Sequence, residues 1–152
     1  MGEATRVVAR FSDGKVLKGT TQDFFPNRPS FHLIPLDGGN GLEIRCKQLK
    51  AVFFVKTFEG DAKRKDIRGF IAAPAETAQG KKIAVRFKDG ELLCGYSLSY
   101  SPDREGFFMF PSDSGSNNLR IYVITTACAE VKAGLAAEAM AQKALEKSED
   151  AA

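Results

Sequence analysis

The stretch Phe25-Pro26-Asn27-Arg28-Pro29-Ser30-Phe31-His32 returns 76 residues later as Ser101-Pro102-Asp103-Arg104-Glu105-Gly106-Phe107-Phe108. Proline, a short polar residue, arginine and phenylalanine hold the same places in both copies. The surroundings repeat as well. Arg10-Phe11 and Asp13-Gly14 match Arg86-Phe87 and Asp89-Gly90, Leu17 and Gly19 match Leu93 and Gly95, and Phe31 to Pro35 matches Phe107 to Pro111. Glycine, proline, aspartate and apolar positions agree in one register, which chance does not supply, so the chain is a doubled unit.

Each unit reads as β. Arg6 to Phe11 is a β-branched run ending at Asp13-Gly14, a hairpin signal because type I′ turns need φ > 0 at both central residues. Val16 to Thr21 returns as a second strand, with Gly19 marking a bulge or sharp bend. The proline-rich loop follows, stiffened by two fixed φ angles. Phe31 to Pro35 is a third strand, and the glycines of Gly38-Gly39-Asn40-Gly41 make a turn. Leu42 to Cys46 alternates apolar and polar, and Leu49 to Val55 is a fifth strand. In the second unit the repeat predicts an offset of 77 for Leu119 and Ile121 against Leu42 and Ile44, and of 76 for Val131 and Lys132 against Val55 and Lys56.

The expected fold is therefore mainly β. Two similar small five-stranded barrels span 5–58 and 81–133, joined by a linker or strap over 59–80, with a C-terminal helix and tail over 134–152. One barrel fused from both halves is the structural alternative. Within the linker, 60–66 is charged and Ile67 to Ala73 is apolar enough for an added strand. Leu135 to Lys147 reads as a helix with a thin apolar stripe of Leu135, Ala139, Met140 and Leu145. Glu146 to Asp150 is an acidic tail.

Composition narrows the chemistry. The single histidine, His32, excludes His-dependent triads and multi-His metal sites. Three widely spaced cysteines, Cys46, Cys94 and Cys128, form no C-x-x-C pair and read as buried free thiols. No Walker loop or G-x-S-x-G motif is present. No cofactor and no metal is expected, and the chain does not read as an enzyme. The net charge is only +3, with 12 Lys/Arg against 8 Asp/Glu over residues 1–66, too weak a bias to demand nucleic acid. The longest apolar runs are a few residues, so no membrane insertion is expected, and a cytoplasmic location is the reading.

Candidate binding residues lie in the repeated loops. Arg28 and Arg104 each sit beside an aromatic in a stiff loop, where a guanidinium fork suits a carboxylate or phosphate. The competing reading has each arginine paired with Asp23, Asp103 or Glu105, or covering a phenylalanine. His32 stands where the second unit has Phe108, which favours packing or hydrogen bonding. Asp13 and Asp89 belong to their turns. Phe24, Phe25, Phe31, Tyr100 and Phe107 suit stacking on RNA bases, although with 12 phenylalanines to bury they read better as core.

Arg64 and Arg68 form an R-x-x-x-R motif that resembles the first half of the PilZ signature. That resemblance implies cyclic-dinucleotide binding, but Ser99 to Gly106 lacks the acidic or amide residue of the signature's second half. The strand order is also similar to Sm-like and SH3-like barrels, some of which bind RNA. Asp23 to Leu33, Leu49 to Val55, Gly95-Tyr96 and Ser101 to Phe108, and Ser116 to Val123 together resemble a bacterial family of tandem β-domains without an established activity. The resemblance implies an accessory or regulatory role. The expected function is a non-enzymatic interaction or regulatory module for another protein, with RNA or cyclic-dinucleotide binding as the alternative. Apolar edge strands can also pair between molecules, which places a homodimer among the expected assemblies.

Overall fold

The β-branched run of the first strand and its copy each fold back at an Asp-Gly turn, and the same pairing scheme is laid down twice. The computed structural model describes residues 5–26, 28–36, 38–58, 76–77, 80–98, 100–101, 103–111 and 118–150. The first unit supplies β1 (Thr5–Phe11), β2 (Val16–Thr21), β3 (Ser30–Pro35), β4 (Leu42–Arg45) and β5 (Leu49–Val55). The second supplies β7 (Gly80–Phe87), β8 (Leu92–Ser97), β9 (Gly106–Pro111), β10 (Asn118–Ile124) and β11 (Cys128–Ala133). The short β6 (Glu76–Thr77) pairs with β7, and α1 (Leu135–Asp150) closes the chain. Arg64, Arg68 and the apolar stretch 67–73 lie outside the described residues.

The hairpin turns differ from the expected two-residue form. Phe11 N donates to Lys15 O (2.8 Å) and Gly14 N to Phe11 O (3.1 Å), so three residues make the connection, with Gly14 left-handed at φ 97°. The copy is the same: Phe87 N to Glu91 O (2.9 Å), Gly90 N to Phe87 O (2.9 Å) and Gly90 at φ 96°. Only the last turn residue needs φ > 0, and glycine takes it without steric cost. Asp13 and Asp89 each accept the backbone N–H two residues on, at 2.9 and 3.0 Å.

The strands do not form two separate closed barrels. They lie in one antiparallel order, β11-β7-β8-β9-β10-β5-β1-β2-β3-β4. The join is β10 on β5, with Ile121 opposite Phe53 and Tyr122 opposite Val52. The reason is in β5, which is buried at all seven residues, so it cannot be the half-exposed wall of an isolated barrel. Val52 and Phe54 face one core with Val7, Ala9, Phe31, Leu33 and Ile44. Ala51, Phe53 and Val55 face a second core with Val8, Ile83, Val85, Phe87, Phe107 and Met109. On β10, Tyr122 and Ile124 belong to the first core, and Ile121 and Val123 to the second. The wall β1–β5–β10 thus serves two cores with alternate residues, because strand side chains alternate in direction.

The repeat register also changes after the third strand. Leu42 pairs with Leu33 while Ile121 pairs with Met109, and Leu49 pairs with Phe11 while Cys128 pairs with Phe87, so the offset is 79 from β4 onward. Counterparts are therefore Leu42/Ile121, Glu43/Tyr122, Ile44/Val123 and Arg45/Ile124, then Ala51/Glu130, Val52/Val131 and Phe53/Lys132. The offsets of 77 and 76 expected from residue identity alone are corrected by the pairing.

α1 lies against β7, β8 and β11. Its fully buried residues are Ala137 and Ala141; of the predicted stripe, Leu135 is 83% exposed and Ala139 is exposed, Met140 is half-buried, and the Leu145 side chain lies outside those described. Small residues let the helix approach the sheet closely, and Glu138 pairs with Lys82 of β7 beneath it. The helix continues through the acidic residues to Asp150. No helix among the described residues is long and apolar enough to cross a membrane.

Candidate functional site

The repeated loops owe their shape to the 3-10 turns that follow β4 and β10. Arg28 N closes a turn onto Phe25 O at 3.0 Å, and Arg104 N closes the same turn onto Ser101 O at 3.1 Å. Cys46 N, opening the turn Cys46–Gln48, donates to Pro29 O at 2.9 Å. Thr125 N, opening Thr125–Ala127, donates to Glu105 O at 2.9 Å, and Thr125 Oγ1 donates to Arg104 O at 2.8 Å. The loop backbones are thus fixed by equivalent bonds in both units.

The side chains are left outward. Arg28 and Arg104 are exposed, and among the described residues neither guanidinium makes an ion pair. Arg28 stacks over the Phe25 ring at 4.8 Å, which bears out the alternative in which it covers a phenylalanine. Phe25 itself is 46% exposed, so the stack stands in solvent. The proposed partner Asp23 is engaged elsewhere.

Both loops meet at the seam between units. Tyr122 OH donates to Pro26 O of the first loop at 3.4 Å. Burial raises the Tyr122 phenol above its ordinary value, the neighbouring Cys46 and Glu105 raise it further, and Arg104 of the second loop opposes them. Cys46, whose Sγ points at Arg28 O from 3.9 Å, is raised by burial and by the Glu105 charge. Gly106 makes this fit, because a Cβ there would stand 2.6 Å from the Tyr122 ring.

Phe24 pins the same seam. Its ring meets Phe31, Tyr122, Phe54 and Phe108 edge-on at 5.1, 5.2, 5.4 and 6.2 Å. Arg120 lies over both Phe54 and Phe108 at 4.6 Å. Phe31 and Phe107 are core, and Tyr100 packs edge-on to Phe107 at 4.9 Å. Of the five rings considered for base stacking, Phe25 alone is exposed.

His32 is exposed on the first unit's outer face. Asp23 accepts its N–H at 2.8 Å and meets Nδ1 at 2.7 Å. Thr21 Oγ1 also donates to Asp23, at 3.2 Å. Partial burial works to raise the Asp23 carboxyl, but the bonds from His32 and Thr21 outweigh it and hold it below its ordinary value. The pair ties the loop to β3.

A concavity of about 220 Å³ lies on the seam, lined by Ser12, Lys47, Lys50, Lys88, Asp89 and Thr126 among others. Lys50 of β5 crosses to the second unit's hairpin, bonding Asp89 at 2.7 Å and also Glu91, with the Phe87 ring 4.6 Å away. The sequence does not single out Lys50, Arg120 and Tyr122, since none has a repeated counterpart of its own type. Among the described residues no group of three or more His, Cys, Asp or Glu is placed to hold a metal. The three cysteines are free and half-buried, less enclosed than expected. Burial pushes the Cys128 thiol up to about 11.

Residues 3–134 match a family of unknown function, DUF6982, and the chain belongs to that family. No curated protein and no solved structure matches the chain.

Proposed function

We propose that this family member is a non-enzymatic interaction module that docks a partner protein on its two repeated loops. The observation that supports the reading is the convergence of both loops on Tyr122 while Arg28 and Arg104 remain exposed. Fixed backbones carry two outward guanidinia, with Phe25 as an apolar anchor beneath one of them. Such preorganisation lowers the ordering cost of binding. Guanidinium forks match carboxylates in pairs of hydrogen bonds, so the fitting partner presents acidic side chains beside an apolar one. Arginine and aromatic residues are the types that dominate interface energetics.

The nucleic-acid alternative has less support, because four of the five candidate stacking rings are packed at the seam or in the cores. Capture of partners by the tagged protein from its source cells tests the reading. Arg28→Ala with Arg104→Ala is expected to abolish the captured protein while leaving thermal stability unchanged. With no Trp and three Tyr, the protein absorbs weakly at 280 nm, so bound nucleotide would dominate its spectrum. A persistent 260 nm peak lost in the same double variant would overturn the protein-partner reading in favour of the nucleotide one.

A further inference from the structure

The two ends of the strand order, β4 and β11, each pair on one side only among the described residues. β4 is the counterpart of β10, and β11 of β5, so head-to-tail association would repeat the internal seam. The side chains oppose it. Tyr122 and Ile124 of β10 enter the neighbouring core at the seam, and their counterparts on β4 are Glu43 and Arg45. Repeating the seam would drive both charges into an apolar core, a strongly unfavourable desolvation. On β11, Glu130 and Lys132 stand where β5 has Ala51 and Phe53. Glu130 is already held by Arg86 at 3.1 Å and Lys132 at 3.7 Å.

We infer instead that β4 is a self-complementary edge through which two copies of this chain pair antiparallel about Ile44. In that register Glu43 of one copy lies directly opposite Arg45 of the other, twice over. The two residues lie on one face, 3.5 Å apart within a single strand, and both are exposed. Cross-strand pairs of opposite charge stabilise a sheet, and like charges directly opposite destabilise it. The edge is also where apolar surface is left uncovered. Leu42 is 44% exposed although its counterpart Ile121, covered by β5, is 2% exposed. Ile34 and Leu36, on or next to β3, are exposed beside it. A two-fold contact is closed, so it stops at the dimer. It joins the two sheets edge to edge without using the arginine side chains of the loops, and so it stands independently of the docking reading.

Sedimentation velocity over a concentration series tests the inference on the full chain and three variants. Wild type is expected to be dimeric at the upper concentrations. Glu43→Arg and Arg45→Glu each place like charges opposite one another and are expected to weaken the dimer by at least about tenfold. An equimolar mixture of the two restores opposite charges and is expected to recover a heterodimer. Lys132→Glu on β11 is expected to leave association unchanged. Amide exchange on wild type gives a readout that needs no variant: protection of β4 should rise with concentration. A monomer at all concentrations, a mixture that fails to recover dimers, or loss of dimer in Lys132→Glu would overturn the inference. Retention of partner capture by monomeric variants would leave the docking reading intact.

Discussion

The Lys50 ammonium, on the last strand of the first unit, lies 2.7 Å from the Asp89 carboxylate on the first hairpin of the second. Glu91 completes the bridge. Burial alone would lower Lys50, but the bonds from the two carboxylates outweigh it and hold it above its ordinary 10.5. Its bond to Lys50 holds Asp89 below 3.8. The signs follow by linkage. The stability from a depressed carboxyl is present above its unfolded value and is lost as pH falls through the folded one. The stability from a raised lysine is present below its unfolded value and is lost as pH rises through the folded one. Denaturant midpoints of wild type should therefore drop below about pH 4 and above about pH 10.5. Lys50→Met keeps the contact with Phe87 and removes the bridge. The Asp89 and Glu91 carboxylates are exposed and stay hydrated when the ammonium is removed, so at pH 7 it should cost under about 1 kcal/mol and flatten both limbs. Unchanged limbs in Lys50→Met would show that the seam bridge does not set them.

Phe53 carries the two-core wall. It pairs with Val8 on β1 and Ile121 on β10, and its ring lies in the second unit's core while its neighbours Val52 and Phe54 lie in the first. Phe53→Ala should cost about 3–5 kcal/mol. Because the wall is shared, the loss should appear in one cooperative unfolding transition, with amide protection falling in both units together. Two separated transitions, or protection lost from one unit only, would contradict a shared wall.

Sequence alone carried the doubled unit, the strand positions and the loop anchors, because glycine, proline and Asp-Gly turns recur wherever backbone geometry demands them. The seam was not legible. It is made by Lys50, Arg120 and Tyr122, residues that differ between units because the units do different jobs there, together with Phe24, whose counterpart Tyr100 keeps only the edge-on contact within its own unit. The apparent match of Val131 with Val55 misled for the same reason. Identity placed them together, whereas hydrogen bonding places Val131 opposite Val85 and so equivalent to Val52. Leu49 to Val55 had no polar alternation, a sign of burial on both faces, and this was the one trace of the wall. His32 against Phe108 likewise records exposure on one unit and a seam contact on the other.

Gly19 and Gly14 separate two uses of glycine. A Cβ on Gly19 would stand 2.2 Å from Ile34 O, and on Gly95 2.0 Å from Phe110 O, both backbone atoms. Gly14 has open space but φ +97°. Gly14→Ala should cost about 1–2 kcal/mol through the left-handed backbone alone. Gly19→Ala and Gly95→Ala must push β3 or β9 away from its neighbour and should cost distinctly more. Chemical denaturation of the three variants ranks them, and equal losses would mean that the strands bend apart freely.

The C-terminal helix occupies the place that a third unit would take. On the first unit, the outer side of β1 and β5 is covered by the second core, into which Val8 and Phe53 project. On the second unit, the matching side of β7 and β11 is covered by α1, through Ala137, Ala141 and the bridge from Glu138 to Lys82. Repeat arrays need such end caps to stay soluble. Arg6, the counterpart of Lys82, is instead exposed and donates to Lys56 O at 3.1 Å. Ending the chain at Gly134 should therefore leave the first unit's strands in place and strip protection from β7 and β11. The truncated protein should unfold at lower denaturant and aggregate more readily than wild type. A milder change, Ala141→Glu, introduces a carboxylate into a contact with no room for one, and should release the helix to proteases cutting after Gly134 while the sheet persists. Full protection of β7 and β11 in both proteins would show that the sheet holds that side without a cap.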